Sequence, residues 1–495
     1  MESAAAPETR SGRGAGRGSG RLPWRRFLPS LLLSTAALKL AFAAAFPGFH
    51  SGDDLEIVEA AAHAALGFPY QPWSIRSLFH PFVFAAPFLA LGAALGFTSA
   101  RALVFLATIP TTLFSTAGIW LLWRLTRELG WEEAAGRAAA FLYAFHTLPL
   151  SYGSMPYPRP ISTAFLLAAF LLLARERAGS GSALAAGFAA AAAMAVRWSE
   201  GVLLVPLLGF AAWRTRSAAA VLRVGAGFGA GVLLLVGAFD RLTWGTPFAS
   251  LVAFARFGAD PAARGVFRQR PWYWYGTNLL GWAGPLLVVL ALAGLRDRRT
   301  RLLLLLVISS VALLSLSPMK QPRYVQAAIP FLAMAAALGW ERLHARVPKL
   351  AAVLLAAAIP LGLERTLHLL DSKSLSAFAA ARELAATANP PRVAAFEQAW
   401  AWGETLPFLR GTAVRDLPPR TPLRTEDVLA AASGAEALGL YASDAPEDLE
   451  RALGPRWKPC GSLRVGESPE VRLYQTRDRE CPAGWRAGVS GARPE

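Results

Sequence analysis

Apolar blocks close to the length of a membrane-crossing helix recur along this chain from Phe27 to about Leu363, with most of the charge confined to the short segments between them. A hydrocarbon layer roughly 30 Å thick needs about 20 apolar residues per helix, and the backbone polar groups inside it must be satisfied within the element. Blocks of this length and number restrict the chain to an all-α polytopic membrane protein. A composition of 54% hydrophobic and 17% charged residues agrees. The formal net charge of +17 raises the alternative of a nucleic-acid binder. Its arginines, however, are scattered between apolar blocks and form no basic face interleaved with aromatics, so no nucleic-acid partner is expected.

Residues 1–22, with RSGRGAGRGSGR, offer no apolar face and are expected to be a disordered basic cytoplasmic tail. Six arginines between Arg10 and Arg26 precede the first block and hold that end inside, which makes the block an uncleaved first span. The segment 82–97, FVFAAPFLALGAALGF, then decides the topology. If it does not span, the loops with Arg124, Arg127 and Arg137, with Arg175 and Arg177, with Arg214 and Arg216, and the runs RDRRTR and ERLHARVPK all become cytoplasmic. If it spans, all of them flip outward, so we read it as non-spanning.

About eleven spans follow, near 27–46, 101–123, 138–151, 159–174, 183–197, 201–213, 219–239, 277–295, 302–317, 325–340 and 350–363. They make up a transmembrane domain over 23–363, with outer loops at 47–100 and 240–276, and leave 364–495 as a small extracytoplasmic α/β domain. Cys460 and Cys481, the only cysteines, lie in that tail, where an oxidising compartment would allow a disulfide. GAGFGAG at 225–231 lies inside a span with no strand before it, so it reads as helix packing and not as a nucleotide loop. The Ala- and Arg-rich usage points to a bacterial inner membrane, with the endoplasmic reticulum as the eukaryotic counterpart.

A few charges are not explained by topology. Arg159, Arg197, Lys320 and Arg323 sit at the outward ends of spans, where positive charge is disfavoured, and converging there they would form an anion site. Facing them, FHSGDDLEIVEAAAH at 49–63 places Asp53, Asp54, Glu56 and Glu59 directly after the first span. Asp53, Glu56 and Glu59 are three apart and would share one helical face, with Asp54 pointing elsewhere. A capped surface helix is the plain alternative. Trp73, and Trp272 and Tyr273 in RPWYWYG, suit either an aromatic belt or a platform on which a sugar stacks. His50, His63 and His80 give no ligand pair on one helical turn, so no metal is expected.

PYQPWSIRSLFHP (69–81), after the acidic stretch, resembles the first outer loop of glycosyltransferase family 22, the mannosyltransferases of the GPI-anchor and N-glycan-precursor pathways. The similarity continues in order through PRPIST at Arg159, VRWSEG at Arg197, DRLTWGTPFASLVAFARF (240–257), RPWYWYGTNLLGWAGP (270–285) and SPMKQPRYVQAAIP (317–330). The sequence departs from the family at Gly52-Asp53-Asp54, where the family has Pro-Asp-Glu, and at Met319 and Gln321, where it has His and an acid.

The resemblance implies a GT-C fold that moves a sugar, mannose first, from a polyprenyl-phosphate donor to a glycan or glycolipid hydroxyl on the outer face. Inversion of a β-linked donor would give an α-glycoside, and no cofactor is implied. It implies Asp53 or Asp54 as catalytic base. Lys320 and Arg323 would clamp the donor phosphate, with Arg76, Arg159 and Arg197 as further contacts. Glu56, Glu59, Trp73, Trp272, Tyr273 and Tyr324 would contact sugar or acceptor. The competing readings are a transporter or flippase for a lipid-linked anion, and another GT-C transferase of aminoarabinose or protein-O-mannosyl type.

Overall fold

The computed structural model describes residues 26–70, 72–175, 180–260, 269–408, 411–417, 423–483 and 485; the expected 1–22 tail and Arg177 lie outside them. The first span is α1 (Phe27–Ala45), followed by α2 (Gly52–Leu66), a wide-turn helix Pro81–Ala85 that continues into α3 (Ala86–Ala94), and α4 (Ala100–Glu128). The Arg101 guanidinium, on the first turn of α4, donates to the Ala44 carbonyl at 2.7 Å. Segment 46–99 thus returns to the end of α1 that it left, and the fourteen-residue stretch Pro81–Ala94 packs beside α2 and α4 without carrying the chain to the other end.

Among the described residues, four helices are long and apolar enough to cross a membrane: Phe27–Ala45, Ala100–Glu128, Ala218–Thr243 and Pro348–Asp371. Other expected spans are realised as shorter or broken helices, and the cause is local. The expected span 277–295 is cut at Gly284, whose φ of +76° is left-handed, with Pro285 starting the next helix. At 201–213 a 3-10 turn, Trp198–Leu203, precedes the helix Leu204–Thr215. The last long helix continues to Asp371, eight residues past the end expected at 363.

At the centre, Ile329–Trp340 of the helix Ile329–Arg346 is buried at every position. A helix apolar all round belongs inside a bundle. Without a hydrophobic drive between helices in lipid, close approach through small residues holds them together. Labelling Arg159–Ala174 as α5 and Ser180–Val196 as α6, α6 meets the helix Ala218–Val232 in this way. A Cβ on Gly187 would strike the Val224 carbonyl, and one on Gly227 would strike that of Leu184. Gly227 belongs to the GAGFGAG stretch.

After the helix Leu375–Ala385, the C-terminal part forms a five-stranded mixed sheet in the order β2-β1-β3-β5-β4, with β1 at Val393–Phe396, β2 at Ala413–Asp416, β3 at Ala437–Tyr441, β4 at Trp457–Leu463 and β5 at Val471–Thr476. β1 pairs in parallel with β2 and β3, and β5 is antiparallel to β3 and β4. Cys460 and Cys481 are joined in a disulfide, with Cα atoms 5.4 Å apart. This domain packs on the segment that follows α1. Lys373 donates to the Phe46 carbonyl at 2.7 Å, Ser374 exchanges hydrogen bonds with Phe49, and the Phe378 ring meets Phe49 edge-on at 5.1 Å.

Candidate active site

The site is assembled at the end of the bundle where α1 stops, α5 starts and α6 stops. Ser51, in extended conformation, caps α2, and Asp54 three residues later completes a capping box. The two Asp54 oxygens accept the His50 and Ser51 backbone N–H groups at 2.7 and 2.8 Å, with the Ser51 hydroxyl at 3.1 Å. Asp54 is fully buried and lines neither of the two main cavities. Burial raises its carboxyl above the ordinary value, against the pull of those hydrogen bonds and of Lys373.

Asp53 points the other way, into a cavity of about 500 Å³. Arg76 Nη2 lies 2.6 Å from Oδ1, while Arg197 Nη2 and Arg323 Nη2 each lie 3.5 Å from Oδ2. The Tyr157 hydroxyl donates to Oδ2 at 3.1 Å. Burial alone would raise this carboxyl, but the three guanidiniums and the tyrosine outweigh it and hold it well below the usual carboxylate range. The loop that carries Arg76 is pinned to the end of α6. Ser77 donates to the Ala195 carbonyl, and the Trp198 indole donates to the Ile75 carbonyl at 3.0 Å. Arg323 enters from the 3-10 turn Pro322–Ala328.

Not every expected residue joins this group. Arg159 is buried against Glu200 at 2.7 Å, donates to the Tyr324 carbonyl at 3.1 Å, and lies 4.4 Å over the Tyr324 ring. An acid the sequence analysis did not single out neutralises its charge, so Arg159 ties three segments together, and it lines the same cavity as Asp53. Lys320 holds the Ser317 and Arg270 carbonyls at 2.5 and 3.1 Å and lines the other cavity, of about 650 Å³. Trp272 and Tyr273 are 76% and 52% exposed and line neither of these two cavities. Tyr324 lines both cavities, and Trp73 packs over the Arg76 guanidinium, 5.2 Å away.

Glu56 pairs with Arg76 at 2.5 Å, and burial pushes its carboxyl up to about 7, with Arg76 opposing. Glu59 faces Glu404 of the C-terminal domain; burial, then Glu404 and Glu56, raise it well above its ordinary value. Tyr157 was not anticipated. Its only signal is a tyrosine directly ahead of the Pro-Arg pair at an outward helix end. Glu200 had a signal too, as the acid in VRWSEG that could neutralise an arginine.

The helical bundle is similar in fold to solved structures of GT-C type. Similar solved structures include ArnT from Cupriavidus metallidurans bound to undecaprenyl phosphate, with a TM-score of 0.62, 12% identity, and coverage of 90% of this chain and 98% of that one. The Archaeoglobus fulgidus oligosaccharyltransferase aligns with a TM-score of 0.50 at 11% identity, covering 88% and 73%. The mycobacterial arabinofuranosyltransferase AftD gives 0.53 at 18% identity, covering 91% and 41%. No curated protein sequence matches the chain. The model of the Alg9-like mannosyltransferase family matches residues 31–393, and the chain belongs to that family.

Proposed function

We propose that the protein transfers a hexosyl group, mannose by its family, from a polyprenyl-phosphate donor to a hydroxyl of a glycan or lipid-linked acceptor, on the outer face of the membrane and with inversion. The observation that carries this reading is the Asp53 carboxylate, set in a cavity wall between Arg76, Arg197 and Arg323. Three guanidiniums against Asp53 and Glu56, the latter raised to about 7, leave the cluster with at least one positive charge in excess. A phosphate diester that departs as a monoester gains one negative charge, and preorganised cations in a partly dry site stabilise that growth. The undecaprenyl phosphate in the ArnT structure supports a lipid-phosphate donor.

In the transfer step the acceptor oxygen bonds to the sugar's anomeric carbon, the bond from that carbon to the phosphate oxygen breaks, and the acceptor proton passes to Asp53. The electron pair leaves with the phosphate, which is a weak base and needs no proton. A carboxylate held by three arginines is a poor base, because its negative charge is already stabilised. When the donor phosphate engages those arginines it takes over part of that stabilisation, and the Asp53 pKa rises toward the range in which it accepts a proton. Donor binding thus arms the base. Asp54, consumed by the helix cap, serves to aim its neighbour.

The test is transfer by purified protein in liposomes, with radiolabelled polyprenyl-phosphate mannose and a pool of native membrane glycolipids and glycans. A labelled product of α configuration is expected. Donor that binds and is translocated without appearing in any product would favour the transporter reading.

A further inference from the structure

The cavity lined by Asp53 holds a polar side chain that the transfer step does not use. His80 stands directly before Pro81, where the outer loop turns into the wide-turn helix Pro81–Ala85. It is 1% exposed, it lines the same cavity as Asp53, Arg76 and Tyr324, and neither ring nitrogen has a hydrogen-bond partner among the described residues. Buried polar atoms are nearly always paired, so two unpaired ones on a ring that lines a cavity call for a partner that arrives from outside. A phenylalanine would fill the same space beside Phe84, whose ring centroid is 6.4 Å away, without leaving unpaired atoms.

Burial pushes the imidazole down to about 3, so the ring is neutral and offers one N–H donor and one bare nitrogen acceptor. The two nitrogens diverge, and the set matches sugar hydroxyls, of which one accepts from the N–H and another donates to the bare nitrogen. It does not match a phosphate, which the arginines already suit. The geometry points to His80 as the residue that grips a hydroxyl of the sugar bound in this cavity, and so helps select which sugar is accepted. This inference rests on the transferase reading above. The hydroxyl comes from the donor sugar or from the acceptor sugar, and the experiment separates the two.

Wild type, His80→Phe and His80→Gln are reconstituted in liposomes. Each is titrated with polyprenyl-phosphate mannose and with polyprenyl phosphate lacking the sugar, then assayed for turnover against the native glycolipid pool. If the donor sugar is held, His80→Phe binds polyprenyl-phosphate mannose about tenfold more weakly and the bare phosphate equally well, and His80→Gln recovers part of the loss. If the acceptor sugar is held, both titrations are unchanged, while the acceptor concentration at half-maximal rate rises about tenfold. In either case His80→Phe melts no lower than wild type, because the unpaired atoms are gone. Unchanged donor and acceptor dependence in His80→Phe overturns the inference. So does an equal loss of both lipid phosphates together with a lower melting temperature, which marks a packing role. Failure of the wild type to transfer label would sink the transferase reading instead, and the donor titrations, which need no turnover, would still judge His80.

Discussion

Asp53 and Asp54 are adjacent on the first turn of α2, yet one faces a cavity and three guanidiniums while the other is buried in its own helix cap. The difference follows from helix geometry, because consecutive residues point about 100° apart and only one of them can face the cavity. It teaches that the segment after α1 has two jobs on two faces. The Asp53 face meets the bundle ends and the cavity of about 500 Å³. The Asp54 face meets Lys373, where the chain leaves the last long helix and docks the C-terminal domain against Phe46 and Phe49.

This comparison is sharpened most by the arginines. Removing Arg323 or Arg197 strips a charge from the Asp53 face, and Arg323→Ala or Arg197→Ala should weaken donor binding by roughly 10- to 100-fold in a lipid-phosphate titration. Lys320→Ala, whose ammonium is held by carbonyls in the other cavity, should weaken it several-fold less; equal losses would return Lys320 to the clamp. Tyr157→Phe removes one hydrogen bond to Asp53 and should slow turnover by about 3- to 30-fold with donor affinity nearly unchanged. On the other face, Asp54→Asn should cost about 1 kcal/mol of stability through the weakened cap, read as a melting shift of a few degrees, with turnover down less than tenfold.

The smallest expected effect concerns pH. Glu56, Glu59 and Glu404 all have carboxyls raised by burial, Glu56 to about 7. Between the ordinary glutamate value and about 7 the folded state binds more protons than the unfolded one, so their contribution to stability falls as pH rises through that window. A melting temperature that declines over this range, and declines less in Glu404→Gln, is the expected result.

The helical, membrane-type character of the chain was legible, because a run of apolar residues is a one-dimensional signal that needs no knowledge of neighbours. Of about eleven expected spans, however, four helices among the described residues are long and apolar enough to cross. Span lengths were less legible: Gly284-Pro285 and the 3-10 turn at Trp198 interrupt helices inside stretches whose hydropathy is continuous. At the site, topology suggested that outward arginines would meet the acidic loop. Which arginines reach Asp53 depended on contacts 144 and 270 residues apart in sequence, beyond any local pattern. Which of Asp53 and Asp54 faces the cavity was within reach. Ser51 and Asp54 have the spacing of a capping box, which assigns Asp54 to the helix end and leaves Asp53 free.

The most direct test measures donor binding and single-turnover transfer on the same Asp53→Asn protein, with Asp54→Asn alongside. The account predicts that Asp53→Asn binds polyprenyl-phosphate mannose at least as tightly as wild type, because the arginines lose their internal competitor, while transfer falls by about 10²–10⁴-fold. Transfer close to the wild-type rate in Asp53→Asn, or a loss of donor binding as large as its loss of transfer, would contradict it.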